Sequence, residues 1–162
     1  MRTWIRAFIA VPLLAWALSA PAQVTPAANF TDMWYLEAES GWGVSFTQHA
    51  GTNQVFAVWY TYDPRLPDAS APGRFKPLWI VMPGGTWTTP TTLTGPAFVT
   101  AGVPLGALTA GAQVGTFAFS FQGTSTATFT YTIAPPAGLA ASDPAFGLPA
   151  FSGSKTITRQ PF

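Results

Sequence analysis

The chain lacks cysteine altogether, carries one histidine, and only 8% of its 162 residues are charged. Each scarcity removes a class of chemistry. Without cysteine no disulfide can staple the fold, and a thiolate metal or redox centre is excluded. His49 alone falls short of the several ligands that a zinc site takes. Six acids scattered along the chain make no carboxylate-rich calcium loop. Neither a glycine-rich phosphate loop nor the nucleophile pattern G-x-S-x-G is present. No metal and no cofactor is therefore expected. Ser152-Gly-Ser-Lys155 matches S-x-x-K, but that motif opens a helix and needs partner motifs downstream, whereas seven residues follow Lys155 in a strand-like run.

What is present begins with a signal-like N-terminus. Arg2 and Arg6 precede the apolar run Ala7 to Ala20, and Ala20-Pro-Ala22 supplies small residues for cleavage. Pro12 and the shortness of the run argue against an anchor, which takes about 20 apolar residues. The expected layout is a signal peptide over 1–22, a Pro/Ala leader over 23–28 and a single domain over 29–162. Removing 22 of 162 residues leaves 140, with five basic residues against six acids, a net charge near −1. That near-neutral surface gives no electrostatic footprint for nucleic acid. The protein is expected in the periplasm or outside the cell, with no integral membrane segment once the signal is gone.

The remainder reads as strand after strand. Trp42, Val44 and Phe46 alternate with small residues, and "AGTN" turns the chain into "QVFAVWYTY". Phe117, Phe119 and Phe121 share one face, and after "GTST" so do Phe129, Tyr131 and Ile133 opposite threonines. This is the clearest hairpin. "PGG" at 83–85 reads as a strand stop, and "AGVPLGALTAGA" at 101–112 as a loop. About eight short antiparallel strands follow, expected as a barrel-like meander, with a two-sheet sandwich as the alternative.

Two groups of residues invite a functional reading. Glu37 and Glu39, if extended, lie on one face about 6.6 Å apart, within the roughly 5 to 9.5 Å that separates glycosidase carboxylates. An acid and a base also need surroundings that drive their pKa values apart, which the sequence does not supply. The second group is aromatic. Trp42, Trp59, Tyr60 and Trp79 are candidates for a small-ligand or sugar-binding surface, against core packing for most rings. Around "EAESGWGVSF", residues 37–46, a structural corner is expected. Gly41 makes the sharp turn, Trp42 points inward as a plug, and Gly43 leaves room on the opposite face. Glu39 accepts a backbone N–H or pairs with a cation such as Arg159.

The block "NFTDMWYLEAESGWGVSFTQH", together with "FAVWYTYD", "KPLWIVMPGG" and "SKTITRQ", resembles an uncharacterised family of secreted bacterial β-domains with a W-Y-x-x-x-E-S-G-W-G block. The resemblance implies export and an all-β module, and no particular activity. Leu36-Glu37 stands where that pattern has an Asn-Pro-type pair, and "RLPDASAPG" is inserted after Asp63; Glu39 matches the pattern better than Glu37. An Arg stacked against Trp42 would also resemble the Trp–Arg closure of lipocalin-like barrels. The leading expectation is an exported, non-enzymatic β-module for a small ligand, glycan or protein partner. The alternatives are a secreted hydrolase using Glu39 and a small outer-membrane barrel.

Overall fold

The structure, a computed structural model, describes residues 24–67, 75–102 and 108–161. The signal-like segment over 1–22 and much of the proline-rich insertion after Asp63 lie outside the described residues. Eight strands occur in order: β1 (Asp32–Tyr35), β2 (Gly43–Gln48), β3 (Val55–Pro67), β4 (Phe75–Thr89), β5 (Thr92–Gly102), β6 (Leu108–Gln122), β7 (Thr126–Ile133) and β8 (Phe151–Arg159). A one-turn 3₁₀ segment, Glu37–Glu39, sits between β1 and β2. Each strand pairs antiparallel with the next, and β8 returns to β1, so the sheet closes on itself. The expected meander is thus a closed barrel and not a sandwich.

Several strands are longer than the short ones expected from sequence. β4 and β6 each have 15 residues, β3 has 13 and β5 has 11. "PGG" does not stop β4. The strand runs through it with a register shift between Val81 and Thr86, which accommodates a proline and bends the sheet as closure requires. Gly85 lets the neighbouring chains pack closely there, since a Cβ would lie 2.6 Å from the Leu93 Cδ1 and 2.8 Å from the Met82 Cε and both side-chain ends would have to shift. Likewise the described residues of the expected loop at 101–112 are strand, 101–102 ending β5 and 108–112 starting β6, while 103–107 lie outside the described residues.

Period-2 alternation does the rest. Phe117, Phe119 and Phe121 of β6 and Phe129 and Ile133 of β7 point inward and are buried. Phe119 stacks on Phe129 at 4.9 Å, and Phe46 meets both Phe119 and Phe121 edge-on at 5.3 Å. Rings thus fill the interior through most of its height, as eight strands permit. Outward, β7 and β8 present Thr130, Thr132, Ser152, Ser154, Thr156 and Thr158 to solvent.

The two ends are closed differently. At one end Phe30 is buried and stacks on Phe121 at 3.9 Å. Residues 24–28, read from composition as a leader, belong to this closure: Val24 and Ala28 pack against the core, and the Ala27 N–H donates to the Pro90 carbonyl at 2.8 Å. At the other end the irregular connection after β7 folds inward and buries Ala145 and Leu148. Asp143 accepts the N–H groups of Ala112 and Ala145, and the Arg65 guanidinium donates to the carbonyls of Pro144 and Phe146. Arg65 also forms a two-pronged pair with Asp63. Burial opposes ionisation of that carboxyl, but the hydrogen bonds from Arg65 outweigh it and hold Asp63 below the usual carboxylate range.

Candidate functional site

The connection after β7 does not fill its end of the barrel completely. β1 is only four residues long and meets β8 at two register pairs, Trp34 with Arg159 and Tyr35 with Thr158. Beyond Tyr35 the chain leaves β8, so β8 and β2 are no longer bridged by a strand. The Glu37–Glu39 turn and Trp42 span that gap. Gly41, at φ +113°, adopts a backbone conformation open to glycine and makes the return into β2. Gly43 is buried, and a Cβ there would lie 3.1 Å from the Trp34 carbonyl oxygen. Its want of a side chain therefore serves close packing onto β1.

Under this bridge lies a mouth of about 300 Å³. Trp42, Trp59, Tyr131 and Phe151 supply its apolar walls, Tyr62 and Thr61 its β3 side, and Glu39 and Lys155 its rim. The rings interlock. Trp59 meets Trp42 edge-on at 6.3 Å and 79°, and Tyr131 lies against it at 4.4 Å. The Tyr131 ring is able to lie where it does because Gly153 stands opposite it in register. A Cβ on Gly153 would sit 2.7 Å from the ring carbon that bears the hydroxyl. Trp59 is only 6% exposed, and its indole N–H has no acceptor among the described residues. A buried unpaired donor costs about 1–3 kcal/mol.

Glu39 holds the rim. Its carboxylate accepts from the Lys155 ammonium at 2.6 and 2.8 Å and from the Trp42 indole N–H at 3.2 Å. The Lys155 hydrogen bond is the largest influence on its pKa and lowers it, and the same contact raises that of Lys155. Glu39 thus stays ionised at neutral pH, the reverse of what a general acid needs.

The structure redistributes the residues expected from sequence. Glu37 and Glu39 are not on an extended strand. They occupy a 3₁₀ turn, where residues two apart point in different directions, so they form no facing carboxylate pair. The cation on Glu39 is Lys155, not Arg159. Arg159 lies over the Trp34 ring at 5.3 Å, 3.4 Å from Asp32, and donates to the Asn29 carbonyl at 3.1 Å. The buried tryptophan that closes an end of the barrel is therefore Trp34, whose indole N–H donates to the Phe30 carbonyl. Trp42 is half-buried and roofs the mouth at the opposite end. Of the four aromatic candidates, Trp42 and Trp59 line the mouth, while Tyr60 and Trp79 stand on the outer wall, edge to face at 5.8 Å. Sequence reading passed over Tyr131, Phe151 and Lys155. Tyr131 carried a signal, being the polar-tipped last ring of an inward run. His49 is exposed in the β2–β3 turn, where its Nδ1 accepts the Thr52 N–H. Ser152 is exposed on β8, so S-x-x-K is a strand segment here. Among the described residues no cluster of three or more His, Asp or Glu side chains is placed to hold a metal ion.

Comparison with family models, curated proteins and solved structures returns no match. The fold and the site define a closed eight-stranded antiparallel barrel whose interior is packed with rings and in which an aromatic mouth opens beside a short first strand.

Proposed function

We propose that this protein is an exported, non-catalytic barrel that binds a small ligand in the mouth between Trp42 and Trp59. The observation that carries the reading is the mouth itself: a cavity of about 300 Å³ with four aromatic walls and a rim of fixed opposite charges. Ligand sites are concave, mostly apolar and furnished with a few convergent polar groups. The signal-like N-terminus and the resemblance to secreted β-domains support export. The salt-bridged, ionised state of Glu39 and, among the described residues, the absence of a facing partner carboxylate speak against a hydrolase. A lipid-facing barrel needs an apolar outer band about 25 Å tall all the way round. The threonine and serine wall of β7 and β8 speaks against one. Among the described residues no helix is long and apolar enough to cross a membrane.

The test is a tryptophan-emission titration of the exported protein with a panel of monosaccharides, nucleosides, amino acids and fatty acids. At least one class should change the emission saturably, and Trp42→Ala should abolish the change while the far-UV spectrum stays that of the parent. A panel-wide absence of response, or a response that survives in Trp42→Ala, overturns the reading.

A further inference from the structure

The mouth has a neighbour at the same end of the barrel. Residues Thr61, Tyr62 and Pro64 of β3 line the mouth, while Asp63 and Arg65 of the same strand line a separate groove of about 440 Å³. The end of β3 is therefore the partition between two cavities. Aromatic rings run over that partition. Tyr62 is 52% exposed, and Gly41 beside it carries no side chain; a Cβ there would come within 3.5 Å of the Tyr62 hydroxyl. Tyr60, two residues before Tyr62, faces outward on the same side, about 6.6 Å along the strand. Trp79 stands opposite Tyr60 in register, is 56% exposed, and lines the groove. Rings thus lead from Trp42 through Tyr62 and Tyr60 to Trp79.

We infer that the ligand is an uncharged chain of pyranose sugars, with one unit in the mouth and the following units laid over Tyr62, Tyr60 and Trp79 into the groove. This rests on the mouth being the binding site. Three observations select that chemistry. The track is made of tyrosine and tryptophan, whose flat apolar faces suit the C–H faces of a pyranose and whose polar tips stay wet. The charges along it come mostly as opposite pairs, Glu39 with Lys155 at the mouth and Asp63 with Arg65 at the groove, where Lys76 adds one exposed cation. Each pair offers an acceptor and a donor to hydroxyls and favours neither anion nor cation. Finally, two cavities separated by one strand are filled best by a ligand of repeating units that straddles the ridge, and neighbouring outward rings on β3 are about one sugar apart.

Isothermal titration of the parent, Trp42→Ala and Trp79→Ala with gluco-, N-acetylgluco- and manno-oligosaccharides, from the monosaccharide to the hexasaccharide, tests this. Both tryptophans are partly exposed, so the variants should fold, and a urea melt of each controls for that. One series should gain affinity at least about tenfold with length. Trp79→Ala should erase the gain and leave the affinity for the monosaccharide, whereas Trp42→Ala should weaken every member. Equal affinity for the monosaccharide and hexasaccharide, unaltered by Trp79→Ala, overturns the chain and leaves the mouth standing. Affinities that Trp42→Ala leaves unchanged at every length place the sugar on the wall alone, and overturn both. No binding by any series overturns the sugar assignment, and the emission panel then judges the mouth separately. If Trp79→Ala instead dissolves a dimer or releases the protein from phosphatidylcholine vesicles, with sugar affinity unchanged, the wall faces a protein or a lipid and the inference is wrong.

Discussion

Replacing Trp34 and Trp42 in turn by alanine separates the tryptophan that closes the barrel from the one that roofs its mouth. Trp34 is fully buried, meets Phe121 edge-on at 5.2 Å, donates to the Phe30 carbonyl at 3.1 Å and lies under the Arg159 guanidinium. Deleting such a ring costs about 3–5 kcal/mol for lost burial and residual cavity. Losing the cation–π contact adds about 0.5–1 kcal/mol. Trp42 is half-buried, touches one tryptophan edge-on and bonds an exposed carboxylate. Its truncation should cost about 1 kcal/mol, a fraction of the value for full burial. Against a total stability of about 5–15 kcal/mol the difference is large. With a urea slope of about 2 kcal/mol per molar, Trp34→Ala should lower the midpoint by about 2 M and Trp42→Ala by about 0.5 M. Should Trp34→Ala fail to fold, Trp34→Phe serves in its place and should still fall below Trp42→Ala. Equal midpoints for the two sites would refute this division of roles.

Three further outcomes follow from the same geometry. Gly153→Ala should push the Tyr131 ring into the mouth, lowering stability by about 1–3 kcal/mol and weakening the ligand titration; a variant with parental melting and binding would show that the ring has room. The Glu39 carboxyl is lowered in the folded protein from its ordinary 4.5, so the support it gives the rim is complete above that value and is lost as pH falls through the depressed folded value. An acid-side change in Trp42 emission should therefore occur below about pH 4.5, and Glu39→Gln should remove it; its persistence would mean that another group is responsible. Hydrogen exchange should find the β1–β8 seam, closed by two register pairs, opening before the β6–β7 hairpin, closed by eight; uniform protection of all strands would contradict that order.

The hairpin of β6 and β7 was legible because large apolar and small residues alternate in both arms next to the turn, Phe117, Phe119 and Phe121 with Ala118 and Ser120, and Phe129, Tyr131 and Ile133 with threonines, which fixes register as well as face: Phe119 sits opposite Phe129 as the pattern requires. Strand ends were less legible. Pro83-Gly84-Gly85 looks like a terminator, yet in a closed sheet a bend is what the strand needs, and the register shift absorbs the proline. The corner at residues 37–46 was legible as a corner, and Gly41 as its hinge, since a positive φ is a local property. The partners across it were not. Lys155 and Arg159 are both inward positions of β8, and which cation meets Glu39 depends on where β1 stops. That stop leaves Lys155 facing the turn and Arg159 facing Trp34, and no local pattern encodes it. For the same reason Trp34, one of several tryptophans in an aromatic-rich half, did not stand out as the closing residue.

Two-dimensional NMR of the indole N–H groups tests the central claim, that ligand enters the mouth between Trp42 and Trp59, most directly. Trp34 and Trp87 donate to the Phe30 and Asn53 carbonyls, away from the mouth, and serve as internal references. On addition of cellotriose, chitotriose and mannotriose, one trisaccharide should move the Trp42 and Trp59 signals, with the unpaired Trp59 N–H shifting downfield as it gains an acceptor, while Trp34 and Trp87 stay in place. Binding of any of the three that leaves the Trp42 and Trp59 signals fixed, or shifts that fall instead on Trp34 and Trp87, would contradict the account.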